Sequence, residues 1–209
     1  MNPMEALVRR TLMATLLLVA VTTPVAGQIA WDSPALVSPA VPSGVSLFVT
    51  NPAGGDIGAL ATIRHAAGPV GLGYRVAIAE ESGSGDLAVA GGIDVAGFLA
   101  RGVEGSEVDL IWWAGGGVGV GTETLFTAPL GVMLGWTGSG GEVVLSPYGG
   151  AHVVLDLSSG GGDSLRFDAV VDLGLDLVLR SGWMIRFGAS LGDRESLALG
   201  IKLPGGGGS

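Results

Sequence analysis

The sequence predicts an all-β protein, a closed antiparallel transmembrane β-barrel of eight to ten strands with ten preferred. Three observations carry that expectation. The first is the run Ser164 to Arg180. Its odd positions, from Leu165 and Phe167 to Leu177 and Leu179, are all apolar, while its even positions include Arg166, Asp168, Asp172, Asp176 and Arg180. Alternation of this kind gives a strand one apolar and one charged face; wound as a helix, the run would have no polar face. Ordinary strands have about five or six residues, and at about 3.3 Å per residue this run exceeds the roughly 30 Å hydrocarbon core of a bilayer. The second observation is that the other alternating runs also confine charge to one face. The third is compositional: 39 glycines in 209 residues, no cysteine, a mean hydropathy of +0.57, and no extended amphipathic helical pattern after the first 27 residues.

From the start of the chain, residues 1–27 read as a secretory signal. Arg9 and Arg10 precede an apolar stretch from Leu12 to Val21, and Val25-Ala26-Gly27 offers small residues for cleavage. That stretch is about half the roughly twenty residues a helical span needs, so export with removal is expected rather than anchoring. Residues 28–43 carry Pro34, Pro39 and Pro42, which block regular pairing. Two readings stand for them: an extended segment placing Trp31 and Asp32 in or near a barrel mouth, or an unstructured leader.

The barrel is expected over residues 44–204, in alternating runs divided by turn-forming clusters. Val45 to Thr50 comes first and ends at Asn51-Pro52-Ala53-Gly54-Gly55. Ile57 to His65 sets Ile57, Ala59, Ala61 and Ile63 opposite Leu60, Thr62 and Arg64. Val70 to Glu80 places Tyr74, Val76 and Ile78 against Gly73, Arg75 and Ala77, and Leu87 to Leu99 carries Asp94 on its polar face. Val108 to Val120 opposes Trp112 and Val118 to Asp109, Trp113 and several glycines. Thr124 to Trp136 points Phe126, Leu130, Val132 and Leu134 outward. Val143 to Leu157 turns Ser146, Tyr148, His152 and Asp156 to the other side. After Ser164 to Arg180, Trp183 to Leu191 and Leu197 to Leu203 complete ten runs and add Arg186 and Lys202 to the polar face. The tail 205–209, Gly-Gly-Gly-Gly-Ser, reads as a flexible linker outside the fold.

A soluble barrel binding a hydrophobic ligand would show the same alternation with its faces reversed. A water-facing surface, however, is normally rich in Lys, Glu, Thr and Ser, whereas the polar face here is mostly Gly and Ala punctuated by Arg and Asp. Small residues with a few charges suit a narrow closed interior, and a lipid-facing exterior accounts for the hydropathy. The expected interior set is Arg64, Arg75, Asp94, Asp109, His152, Asp156, Arg166, Asp168, Asp172, Asp176, Arg180, Arg186 and Lys202. Such a ladder fills a lumen and satisfies its own charges, or else lines a polar passage.

Exported, glycine-rich, free of cysteine and built of long alternating strands ending in an amphipathic one, the chain resembles the small bacterial outer-membrane β-barrels. That broad class includes OmpA-like, OmpX-like and OmpW-like proteins. The resemblance covers roughly Val45 to Leu203 and is one of architecture, so no functional residue is carried over. It implies a monomer in outer-membrane lipid, with a structural role or a passive pore or binding role for a small solute.

Chemistry beyond this is weakly signalled. His152, Asp156 and Ser146 share one face and raise the alternative of a lipid-modifying barrel enzyme, but four strand residues separate His152 from Asp156 by about 13 Å. The expected assignment is therefore no enzyme. Glycines 115–117, 119 and 121 lie within a strand pattern with no helix following, which argues against a phosphate site. Asp94, Glu107 and Asp109 match no calcium loop, and no metal or cofactor is expected. A net charge of −9 speaks against a nucleic-acid partner.

Overall fold

A computed structural model describes residues 31–40, 43–67, 70–136, 143–159 and 164–204. The expected signal over 1–27 and the tail over 205–209 lie outside the described residues. The ten expected runs form ten strands: β1 (Gly44–Asn51), β2 (Gly55–Ala67), β3 (Val70–Glu81), β4 (Leu87–Ala100), β5 (Val108–Val120), β6 (Thr124–Trp136), β7 (Val143–Ser159), β8 (Ser164–Leu179), β9 (Met184–Gly192) and β10 (Ser196–Lys202). A single 3-10 turn, Val103–Gly105, lies between β4 and β5.

Each strand pairs antiparallel with its chain neighbours, and β1 pairs with β10, so the sheet closes into a barrel. The closing register runs from Ser46↔Lys202 to Asn51↔Leu197. Closure leaves no exposed sheet edge, which a membrane requires because lipid offers no hydrogen-bond partners. The wall is uneven in height. β7 and β8 have 17 and 16 residues, whereas β1, β9 and β10 have 8, 9 and 7.

Polarity is inverted relative to a soluble barrel. Leu130, Phe167, Val76, Leu197 and Leu165 stand on the outer face, half or more exposed, while Arg75, Asp94, Asp168, Asp172, Asp176 and Arg186 are buried inside. The alternation along β10, Ser196 to Lys202, shows it residue by residue: even positions are buried and odd ones exposed. The interior also holds an apolar cluster that includes Trp31, Leu36, Phe48, Leu60, Trp113 and Tyr148. Pairing places Gly174 beside Tyr148, and its missing side chain leaves room for the tyrosine ring.

The turns β1–β2, β3–β4, β5–β6, β7–β8 and β9–β10 form one rim, here called the upper. The remaining turns, the start of β1 and the end of β10 form the lower rim. These labels imply no cellular orientation.

Candidate functional site

The interior chemistry is organised by β8. Its even residues face the lumen at two-residue spacing, so each acidic group meets a different partner on the flanking strands. Asp176 is paired across the ladder with Arg186 of β9, whose Nε donates to Asp176 Oδ1 at 2.9 Å. Asp172 accepts from Ser190 Oγ at 2.5 Å and lies 3.1 Å from His152 Nδ1. Asp168 accepts from Arg166 Nε at 2.7 Å on its own strand and from Arg194 Nε at 2.9 Å.

Arg194, in the β9–β10 turn, is the hub of the upper end. Its guanidinium bonds Asp168, Asp156 and Asp32, the last at 2.8 Å. Three buried carboxylates therefore share one arginine, and Arg166 adds a second cation to Asp168. Burial alone would lower the Arg194 guanidinium, yet the three carboxylates, Asp32 first, hold it above the usual arginine value. Burial pushes the Asp32 carboxyl, which lies outside the strands, up to about 7 against the pull of Arg194. The cluster thus keeps its cation while one of its three buried carboxylates, Asp32, becomes easy to protonate.

Asp32 belongs to the chain segment that fills the lumen. Residues 31–38 are all buried. Trp31 stacks on Trp113 with ring centroids 5.6 Å apart, and the Arg75 guanidinium lies over the Trp31 ring, 3.7 Å from its centroid. A stacked pair is worth about 0.5–1.5 kcal/mol beyond its burial, and the desolvated arginine adds a comparable amount. Room for the indole comes from glycines: a Cβ at Gly115 would stand 2.8 Å from Trp31 Cζ2, and one at Gly117 would stand 2.8 Å from its Nε1. The wall also holds the segment by its backbone. Arg75 donates to the Ala35 carbonyl at 2.6 Å, Arg186 to the Leu36 carbonyl at 3.0 Å, and Asp172 accepts from the Ala35 N–H at 3.3 Å. Leu36 bends with φ +54°, a conformation that costs a non-glycine residue about 1 kcal/mol or more and persists because its surroundings fix it.

The residues singled out from sequence fall into three groups. Arg75, Asp156, Asp168, Asp172, Asp176 and Arg186 contact the inner segment or its immediate partners, with Arg166 bound to Asp168 and His152 wedged 5.2 Å from the Trp113 ring. Arg64 and Asp94 form a separate pair at 2.5 Å toward the lower end, where Lys202 is buried beside Gly44. Asp109 and Arg180 serve elsewhere. The Asp109 carboxylate accepts the Gly102 N–H at 2.8 Å and fastens the β4–β5 turn. Arg180 is corrected: β8 ends at Leu179, one residue before the alternation stops, and Arg180 is exposed in the following turn. His152, Ser146 and Asp156 are not gathered, since the imidazole faces Asp172 and Trp113 while Asp156 bonds Arg194.

Sequence reasoning missed Arg194 and Glu81, and for Trp31 and Asp32 it left a place at the barrel mouth and an unstructured leader both open. Glu81 is buried and accepts from the Thr122 hydroxyl at 2.5 Å and the Thr122 N–H at 3.0 Å, tying two upper turns together. The inward parity of β3, continued one step past Ala79, reaches Glu81. The parity of β10, continued backward from Ser196, reaches Arg194.

Among the described residues, the void bounded by Leu36, Ser46, Arg64, Arg75, Asp94 and Arg186 is about 10 Å³, at most room for a single water. Two open troughs of about 690 and 700 Å³ lie on the apolar outer surface and belong to the lipid-facing side.

These features define the class: a ten-stranded β-barrel of membrane polarity whose lumen is filled by its own amino-terminal segment. No protein-family model matches the chain, and no curated protein matches it in sequence. Among solved structures the chain is similar to a KdgM porin at a TM-score of 0.41 and 10% identity, over 76% of this chain and 97% of that one. A likeness at that level adds nothing to what the chain's own geometry shows.

Proposed function

We propose that the protein is an exported outer-membrane β-barrel, inserted as a monomer, whose lumen is a narrow passive route for small polar solutes held shut by residues 31–38. The observation that carries this reading is the grip of Arg75, Arg186 and Arg194 on two backbone carbonyls and one carboxylate of that segment. A purely structural barrel needs only a packed interior. Here the polar wall instead holds a length of chain by discrete hydrogen bonds, and on this reading release of that chain leaves a passage lined by arginine and aspartate. The soluble, hydrophobic-ligand alternative requires an apolar lumen, and the buried charges speak against it. The enzymatic alternative has less behind it: the His152 ring packs against Trp113 and faces Asp172, while Asp156 is taken up by Arg194 rather than by the imidazole.

The full chain, reconstituted in planar bilayers and run unboiled and boiled on gels, tests this. The expected result is heat-modifiable migration with no steady conductance, and conductance steps once Arg194→Gln loosens the segment. In that open variant, Asp172→Asn should shift selectivity away from cations. Steady conductance from the unmodified chain would remove the stopper from the proposal. A chain soluble without detergent would remove the membrane.

A further inference from the structure

The Trp31 ring sits in a recess of the barrel wall built to its outline. Trp113, itself fully buried, stacks on it with the two planes 19° apart, and the Arg75 guanidinium lies over the ring. Beside it the wall is reduced to bare backbone. Gly92 of β4 pairs directly with Gly117 of β5, and Gly115 stands two residues further along, so the three glycines share the inner face of one ladder. A Cβ at Gly92 would stand 3.0 Å from the indole Nε1, and one at Gly115 would stand 2.8 Å from Cζ2 and 2.9 Å from Cη2. Any larger residue at these positions would close the recess. The indole N–H finds no hydrogen-bond partner among the described residues, so the recess reads the shape and face of the ring and not its N–H.

We propose that this recess is a binding site for flat, electron-rich bicyclic aromatic solutes, occupied in the closed barrel by the chain's own Trp31. Each part of the site sets one property of the ligand. The stacking plane of Trp113 and the three glycines admit a flat system of two fused rings. A guanidinium over the ring face attracts the negative side of an aromatic quadrupole and repels a cation of the same outline. As a station along a passage the site rests on the reading of the lumen given above; as a binding site it rests on the contacts of Trp31. Because the indole is tethered, it competes at an effective concentration on the order of millimolar or above, so a free ring enters once Trp31 is withdrawn or removed.

Trp31→Ala removes the ring and retains the acceptors that Arg75, Arg186 and Arg194 hold on Ala35, Leu36 and Asp32. The full chain carrying it, folded in dodecylphosphocholine micelles, is titrated with indole by calorimetry. Saturable binding is expected, at least tenfold weaker in the unmodified chain and in Trp31→Ala combined with Gly115→Val, which fills the recess. Naphthalene, which has no N–H, should displace indole at least as well as indole itself, and the N-methylquinolinium cation at least tenfold less well. Equal binding to all three chains would mean partition into the micelle and overturns the site. A requirement for the N–H, or displacement by the cation as strong as by naphthalene, overturns the ligand class. If Trp31→Ala alone gives no heat-modifiable band, indole present during folding should restore it, and failure to restore it overturns the site. Planar bilayers separate the site from the passage. Indole binding to Trp31→Ala, with no conductance steps from Arg194→Gln, supports the site and removes the passage; conductance steps from Arg194→Gln, with no indole binding to Trp31→Ala, keep the passage and remove the site.

Discussion

At the scale of single residues, Arg194 carries more of the interior than any group on a strand. Removing one partner of a buried ion pair leaves the others uncompensated, at a cost of about 3–5 kcal/mol. Arg194→Gln leaves Asp32, Asp156 and Asp168 facing one another, so the temperature at which unboiled migration is lost on gels should fall markedly. Arg180→Gln, on the exposed turn, should leave it unchanged. Asp32 gives a second prediction, with a sign. Its carboxyl rises from 3.8 to about 7 on burial, so the docked segment binds a proton that the undocked one releases. The contribution of this group to docking is complete below about pH 4 and is lost as pH rises to about 7. Protease protection of residues 31–38 should decline across that window and be flatter in Asp32→Asn; an unchanged slope in the variant would place the titration elsewhere. The wall residues were legible because inward parity is a local property of a strand. Arg194 was not, because Asp193-Arg194-Glu195 reads as a polar turn, and only the continued parity of β10 shows that its middle member points inward while its neighbours stay in solvent.

At the scale of elements, the strands follow from period-two patterning, and their existence was readable from end to end. The path of the inner segment was not. Pro34 and Pro39 announce only that residues 31–40 pair with no strand, and nothing periodic says where an extended piece of chain will lie. The complementary signal was present in β5, whose lumen-facing Gly115 and Gly117 leave a gap the size of an indole. Glycine within a strand often marks the close approach of another group, but the sequence does not name the group. Gly115→Val tests the fit: it fills that gap and should expel Trp31 while β5 remains paired. The expected result is conductance from a barrel that still shows heat-modifiable migration. Silence would mean that the wall shifts to keep the segment in place. The low wall of β9, β10 and β1 is the element-level weak point, because the closing β1–β10 ladder is shorter than that of β7–β8.

At the scale of the whole molecule, the inversion of polarity specifies the surroundings. Leu130 stands midway along β6 and is 56% exposed in the outer apolar band, where an arginine costs about 2–4 kcal/mol at the bilayer midplane. Leu130→Arg should lower the fraction of chain that folds into vesicles, and Asp86→Arg on the upper rim should not. This level was the most legible, since opposite faces of many runs told the same story independently. The threaded segment also bears on how the molecule is made. Asp32 meets Arg194 across 162 positions of sequence, so the contact forms only when the last hairpin has been synthesised and folded. A ring zipped between β1 and β10 before that moment would force a free end to be reeved through a finished hoop. A ring zipped afterwards closes around a core already lying along its axis. Closing the short β1–β10 seam last, as a lasso is drawn tight around a mandrel, is the order that avoids that threading step, and it predicts that β1–β10 pairing forms no earlier than docking of residues 31–38.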